Sequence, residues 1–505
     1  MSRSSDDHLA GEVATGGRLD RLIEAANSAG TSFAVDPELI QALRAMRAGY
    51  TVRGPASSTA AGQAAAARWL ERFETLKSTR DGFQLLYGSP DIAALVHGGQ
   101  TTLLTQAQLA GRAVEGLTGL PLVVLPARGA ADGDTLTAIE DLHPAAILLA
   151  DVSTSQSGPL LSGRTNAPIV NVSASSFGGG PGPEPRNTPV HLQQRMLAET
   201  WLQATAVPAV TTAGRVRLIT NAAQMAGERE AMNPPWIKRS TLSDLLRSSP
   251  TTWNQELTYP KSARVAELRP SQLRLIRQLE QSYATYTELL AEPDGAKVAA
   301  ASSIARATSG KWRGNGTAMR GFIRPQQAEL GTILDEKIEV RASRRVTTVS
   351  RQGSFPITVR NTLAAPESPT SLTDAVKVRL VFRSRVDQRL TVRPIDVGVV
   401  RAGANFAGAA QVEAEANGTV PVTAQLTTTS GKPIGQPVTI QVTATQAGTT
   451  GWIIVGISLP VLIGGVALRI RQVTKERAAG TPPTQGTTPL SSSPPVDRIT
   501  ESVDV

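Results

Sequence analysis

Three aspartates stand at the ends of apolar runs. Asp36 lies in SFAVDP, Asp91 in the SPDIAAL that follows FQLLYG, and Asp151 closes AAILLAD. If these runs are parallel strands of one α/β domain, their C-terminal ends share a mouth where the three carboxylates can converge. Two carboxyl groups flanking a bond can work as acid and base on a glycosidic linkage. With His97 they could instead hold a metal that activates water for deacetylation of an amino sugar. Tyr87, Arg128, Asn171 and Asn221 sit at further strand-to-loop junctions and are the polar candidates for ligand contact.

The same residues also have structural readings. Asp36 precedes Pro37 and Glu38 and fits a helix N-cap. Asp91 falls in the first turn of its helix, where a carboxylate favours the dipole. His97 comes late in that helix, a capping or surface position. His143 precedes Pro144 at the wrong end of a strand, and His191 stands alone in a helix. No HExxH, P-loop, GxSxG or CxxC pattern occurs, and Ser309-Gly310-Lys311 lacks the rest of a P-loop. The chain has no cysteine. Disulfides and thiolate chemistry are excluded, and zinc would need histidine and carboxylates alone. No metal or cofactor is expected.

The elements that must position these groups are read from apolar periodicity. SFAVDP, FQLLYG, LVVLPA, AAILLAD, APIVNVS and VRLITNA are near-continuous apolar runs, the pattern of parallel strands buried on both faces. DPELIQALRAM, AAGQAAAARWLERFETL and SPDIAALVHGG between them read as helices. Strands alternating with helices predict an α/β domain over 19–225, barrel-like or doubly wound. No Gly-rich nucleotide fingerprint follows the first strand. Residues 226–335 read as a mainly helical extension packed on that domain. Its clearest helix is RPSQLRLIRQLEQSYATYTELL, whose Tyr283 and Tyr286 read as packing residues. Over 336–447 about seven short alternating strands predict an immunoglobulin-like β-sandwich.

Eighteen uncharged residues, 451–468, are long enough to span a bilayer as a helix, and Arg469, Arg471, Lys475 and Arg477 follow directly. The expectation is one transmembrane helix over 448–470. The protein would be a single-pass plasma-membrane protein with its N-terminal bulk outside, a cytoplasmic tail and the lipid bilayer as a partner. Residues 471–505, rich in Pro, Ser and Thr, and residues 1–18 read as disordered. MSRSSDDHLAGEVATGG is not a signal peptide, which suggests a true start further upstream. The formal charge is +9. No concentrated basic run lies outside the tail, so charge alone picks no partner. Aromatics are only 4% of the residues, a poor supply for an aromatic-lined sugar groove or a nucleic-acid stacking platform, and no nucleic-acid partner is expected.

Taken together, SFAVDPELIQAL, LLYGSPDIAAL, GGGPGP with QRMLAETWLQA, ATSGKWRGN, FPITVRNTL and NGTVPVTAQLTT with the apolar stretch after it carry a resemblance. The chain resembles an actinobacterial family of single-span cell-envelope proteins of unknown function, domain of unknown function 6049. The resemblance covers most of residues 20–472. It implies a role near peptidoglycan precursor export, since genes of the family often lie beside the lipid II flippase gene. It supplies no active site. Relatives often place an aromatic residue near the end of the third strand, where this chain has Leu125. The expected function is non-enzymatic binding or scaffolding in the cell envelope, with a cell-wall glycan or envelope-assembly proteins as partners. The alternative is a carbohydrate-active hydrolase or deacetylase using Asp36, Asp91 and Asp151.

Overall fold

A computed structural model describes residues 8–52, 59–156, 158–173, 216–219, 234–363, 374–384 and 388–445, with a few isolated positions besides. The first half alternates helices and short strands. Helices α1 (His8–Val13) and α2 (Arg18–Ala26) precede strand β2 (Ser32–Val35) and helix α3 (Pro37–Ala48). Residues 8–13, expected to be disordered, instead bury Val13 in one core with Trp69. Two three-residue strands, β1 (Ser2–Ser4) and β3 (Tyr50–Val52), pair in parallel. Helix α4 (Thr59–Thr79) leads to β4 (Asp81–Gln84), α5 (Ile92–His97) and α6 (Thr102–Arg112). Then come β5 (Val123–Val124), α7 (Gly133–Glu140), β6 (Ala146–Ala150), α8 (Asp151–Thr154), β7 (Leu160–Ser162) and β8 (Ile169–Val172).

Strand β2 pairs with β4 in parallel, and a parallel bridge from Gln84 to Leu122 leads on towards β5. A second sheet runs β5-β6-β8-β7-β9, β9 being Thr251–Thr252. All five residues of β6 are buried, as a central strand covered on both faces requires. Strand β7 runs antiparallel to β8.

Helical residues follow. A short helix, Lys261–Ala266, precedes three longer ones, Pro270–Leu289, Asp294–Ala307 and Gly316–Thr332. Leu273, Ile276 and Leu279 of the first of these recur at helical spacing and join the core of the strands. Tyr283 and Tyr286 pack against that core.

From Ile338 to Ala444 the described elements are all strands. A four-stranded sheet has the order β10-β12-β16-β14 and a five-stranded sheet the order β11-β18-β17-β13-β15. The strands are β10 (Ile338–Ala342), β11 (Arg345–Thr348), β12 (Gln352–Asn361), β13 (Val376–Ser384), β14 (Leu390–Val392), β15 (Ile395–Val400), β16 (Asn405–Ala414), β17 (Gly418–Thr427) and β18 (Pro433–Ala444). Alternate residues of both sheets, such as Phe355, Val359, Leu380, Val422 and Val442, meet in one apolar cluster. The end of the Pro270–Leu289 helix enters it. Leu289 is fully buried there, Leu290 bridges to Val376, and Glu288 accepts from the Ser430 N–H at 2.9 Å and from Lys432 Nζ at 3.1 Å.

One expectation is corrected. Among the described residues no helix is long and apolar enough to cross a membrane. The longest, Thr59–Thr79 and Pro270–Leu289, are amphipathic: Arg68, Glu71, Arg72 and Glu74 interrupt the first, and Arg274, Arg277 and Glu280 the second. The stretch 451–468, on which the transmembrane helix, the plasma-membrane placement and the bilayer partner rested, lies outside the described residues, as does 471–505. The single-pass membrane assignment is therefore not carried forward.

Candidate functional site

The loops after β2, β4, β5 and β6 leave from one end of the parallel strands and carry Asp36, Asp91, Asp132 and Asp151. Asp36 caps α3. Its Oδ1 accepts from the N–H groups of Glu38 at 2.8 Å and Gly88 at 2.9 Å, and its Oδ2 accepts from the Ser89 hydroxyl at 2.9 Å. Pro37 at the first helical position has no N–H to satisfy. One carboxylate thus stitches the end of β2 to the turn after β4. Burial pushes its pKa up to about 6, against the backbone N–H groups of Gly88 and Glu38, which favour the anion. Beside it, Glu38 accepts from Arg306 Nε at 2.7 Å.

Asp91 is fully buried and caps α5, accepting from the Ala94 N–H at 3.4 Å. Its Oδ2 also accepts from the Leu268 N–H at 3.0 Å and from Arg313 Nε at 2.8 Å, while a second Arg313 nitrogen reaches Oδ1. This is a bidentate pair, the strongest geometry open to an arginine and a carboxylate.

His97, the last residue of α5, has a carboxylate at each ring nitrogen. Nδ1 lies 3.0 and 3.1 Å from the two oxygens of Glu267, and Nε2 lies 2.7 Å from Asp132 Oδ2. Two carboxylate acceptors are best matched by two donors, an arrangement that favours the imidazolium. Burial works against the charge, but hydrogen bonds to Glu267 and Asp132 outweigh it and raise the pKa. Asp132 is itself the N-cap of α7, held by the Thr135 N–H at 3.1 Å and its hydroxyl at 2.6 Å. Tyr259 donates to Glu267 at 2.7 Å and meets the His97 ring edge to face, with centroids 5.6 Å apart. Arg264 lies over the Tyr259 ring and 3.3 Å from Asp132 Oδ2.

These contacts show how the strand ends are closed. Residues 253–268 run across them as a strap. Trp253 donates its backbone N–H to Ser162 at 2.8 Å and its indole N–H to Thr154 at 3.1 Å, and the Thr258 N–H reaches Ser153 at 2.8 Å. The strap passes over α7 through Arg264, grips α5 through Glu267, and ends with Leu268 on Asp91. Trp253, Leu257 and Leu268 lie in the same core as Val124 and Ile147, so the strap is part of the fold. Residues 306–313 close the other side. The Asp91 N–H donates to Thr308 at 2.8 Å, and the Gly310 N–H to Ser89 at 2.9 Å.

The remaining sequence candidates are placed as follows. Asp151 begins α8 and is half-buried. Tyr87 is fully buried, its hydroxyl on Gln41, and burial pushes its pKa up to about 12. Asn171 is buried and ties the loop after α8 to β8, accepting from the Thr154 hydroxyl at 2.9 Å and donating to the carbonyls of Gln156 at 2.8 Å and Gly158 at 3.0 Å. Arg128 is exposed on a turn with φ of 56°. Asn221 lies outside the described residues. Among the described residues no group of three or more His, Asp or Glu is arranged to hold a metal. Sequence reasoning missed Asp132, Tyr259, Glu267 and Arg313. Only Asp132 had a local signal, the Asp-x-x-Thr spacing of an N-cap.

Fold and site define a class: an α/β unit whose strand ends are covered by its own chain, joined through a long helix to a pair of β-sheets. The chain belongs to a family of unknown function, DUF6049, which matches residues 187–489, more than half of its length. No curated protein matches it. Among solved structures it is similar to the 4-alpha-glucanotransferase from Thermococcus litoralis, with 8% identity and a TM-score of 0.35, covering 78% of this chain and 86% of that one. An alpha-mannosidase from Enterococcus faecalis V583 overlaps 88% of this chain and 56% of its own, with 12% identity and a TM-score of 0.34. WR4, a C. elegans MSP family member, covers 22% of this chain and 98% of its own, with 10% identity and a TM-score of 0.16. At these TM-scores none of the three bears on what the chain does.

Proposed function

We propose that this is a non-enzymatic binding or scaffolding protein that takes a cell-wall glycan, a peptidoglycan precursor or an envelope-assembly protein as its partner. The observation that carries this reading is the Asp91–Arg313 pair beneath the strap. A carboxylate with no exposure, two backbone N–H donors and a bidentate guanidinium has no lone pair left for a substrate proton. The alternative, a hydrolase or deacetylase, has one supporting observation: Asp36, with a pKa of about 6, lies in the range of a general acid.

The test is to incubate the whole chain with peptidoglycan fragments and N-acetylated oligosaccharides, with and without zinc, while assaying reducing ends and released acetate. Co-sedimentation with purified sacculi is measured in parallel. Retention on sacculi without turnover is expected. Turnover that disappears in Asp36→Asn would replace the binding role with the catalytic one.

A further inference from the structure

The two outward sheet faces of the β unit treat charge differently. On the four-stranded sheet the outward cations have acids beside them. Arg341 pairs with Glu339 at 3.0 Å, Arg351 with Glu415, and Arg393 with Glu413 at 3.9 Å, while Arg360 stands opposite Glu339 in the register. On the five-stranded sheet, β13 alternates buried Val376, Val378 and Leu380 with exposed Lys377 and Arg379, and continues outward to Arg383. None of these three cations has a carboxylate of a described residue within 4.0 Å. Asp396 of β15, opposite Arg379, is the acid that the register brings to them. From Arg379 to Arg383 is about 13 Å along an extended strand.

The neighbouring strands extend the same surface mostly with uncharged side chains, with the half-exposed Val399 of β15 opposite Lys377. Thr423 of β17 stands opposite Arg383, and Gln425 opposite Val381. Across β17 and β18 the pairs are Thr419 with Thr443, Pro421 with Gln441 and Thr423 with Thr439, and Arg345 of β11 lies opposite Gln441. Thr419 and Thr443 hydrogen-bond to each other at 2.9 Å. None of these outward positions carries an aromatic ring.

We infer that the outer face of the five-stranded sheet, centred on Lys377, Arg379 and Arg383, binds a linear anionic polysaccharide. Among the described residues four cations, Lys377, Arg379, Arg383 and Arg345, stand against one acid, Asp396, and supply the attraction. The Thr423 and Thr439 hydroxyls and the Gln441 amide match a polymer that offers hydroxyls at every sugar, because each can donate and accept, whereas the Gln425 amide nitrogen is held by the carbonyls of Ile434 at 2.7 Å and Gly435 at 3.2 Å. A hydrogen-bonded sheet presents them at fixed spacings and has little order left to lose on binding. A single-stranded nucleic acid would call for stacking rings, and this face has none. The site extends the binding role to a second part of the chain and does not use the closed strand ends.

The test uses the whole chain and, as probe, polygalacturonate, with polyglutamate and oligo(dT) as competing polyanions. Binding is followed by co-sedimentation or affinity electrophoresis from low to high salt. The chain is expected to hold polygalacturonate, with affinity falling as salt rises. Lys377→Ser/Arg379→Ser/Arg383→Ser is expected to weaken it by about tenfold or more. Arg341→Ser/Arg351→Ser/Arg393→Ser on the opposite sheet is expected to leave it within about twofold. Urea unfolding of both variants checks that each remains folded. Equal loss in both triple variants, tighter binding of polyglutamate or oligo(dT), or no binding by the intact chain would each overturn the proposal. Turnover in the glycan assays would instead overturn the non-enzymatic reading and leave this face as assigned.

Discussion

Nδ1 of His97 lies 3.0 Å from Oε1 of Glu267, across 170 residues of chain. The contact latches the strap to the end of α5, and its strength follows the charge on the ring. Asp132, from the cap of α7, and Glu267 and Tyr259, from the strap, face the imidazole. Arg264 opposes its charge from 3.3 Å. Because the pKa of His97 is raised in the folded protein, the stabilisation is complete below the ordinary value of 6.5 and is lost as pH climbs through the raised value. Urea midpoints of the wild type are expected to fall over that window, and those of His97→Gln to stay flat across it. At pH 6 the variant should lose about 1–3 kcal/mol.

Asp91 and Arg313 are expected to behave as a unit. Removing either partner strands a buried charge, so Asp91→Ala or Arg313→Ala should cost about 3–5 kcal/mol. The double variant Asp91→Ala/Arg313→Ala should cost less than the two singles together, because no orphaned charge remains. A double-mutant cycle in urea decides it, and strict additivity would show that the pair is not coupled.

Asp36 separates capping from acid chemistry. Asparagine caps helices as well as aspartate does, whereas alanine loses the cap, so Asp36→Ala should lower stability by about 1–2 kcal/mol. Because the folded pKa is raised from 3.8 to about 6, protonated Asp36 favours folding below 3.8, and that benefit is lost as pH rises through about 6. Asp36→Asn should therefore lose less stability than the wild type between pH 4 and pH 7. A wild-type-like decline in Asp36→Asn would contradict the raised pKa.

Leu289 and Glu288 join the helical residues to the β-sheets. Leu289→Ala leaves a cavity in a full core and should cost about 2–5 kcal/mol. It should also split a single calorimetric transition into two, or expose the segment near 290 to protease. Burial disfavours charge on Glu288, but bonds from Ser430, Thr428 and Lys432 outweigh it and lower the pKa to about 2. Its contribution is present above the ordinary 4.5 and lost as pH falls towards 2. Glu288→Gln should flatten the stability profile over that acid range.

What could be read in advance follows from how local each signal is. The run AAILLA is apolar throughout, and β6 is buried throughout. Asp36-Pro37-Glu38 writes a helix start in three letters, and the cap bond is there. The Pro270–Leu289 helix matches its apolar spacing within a residue or so. KIEVRASRRVTTVS reads as one strand but divides at Ser343–Arg344 into β10 and β11, which belong to different sheets. No residue type marks a change of sheet. β15, with Gly398 breaking its alternation, and the three-residue β7 are too short or irregular to be read. Asp91 was legible as a residue near a helix start, but its guanidinium was not, because Arg313 lies 222 positions away. The His97 cluster draws on α5, α7 and the strap, and periodicity carries no information about such meetings.

That separation has a consequence during synthesis. A ribosome adding about 5–20 residues per second completes Asp91 some 10–45 seconds before Arg313. In the interval the nascent chain holds an acidic group in a place that suits only a neutralised one, with its apolar surroundings open to water. The N-terminal half cannot finish folding as it emerges, and a fragment cut short of residue 313 should need a chaperone, or the missing piece supplied in trans, to stay in solution.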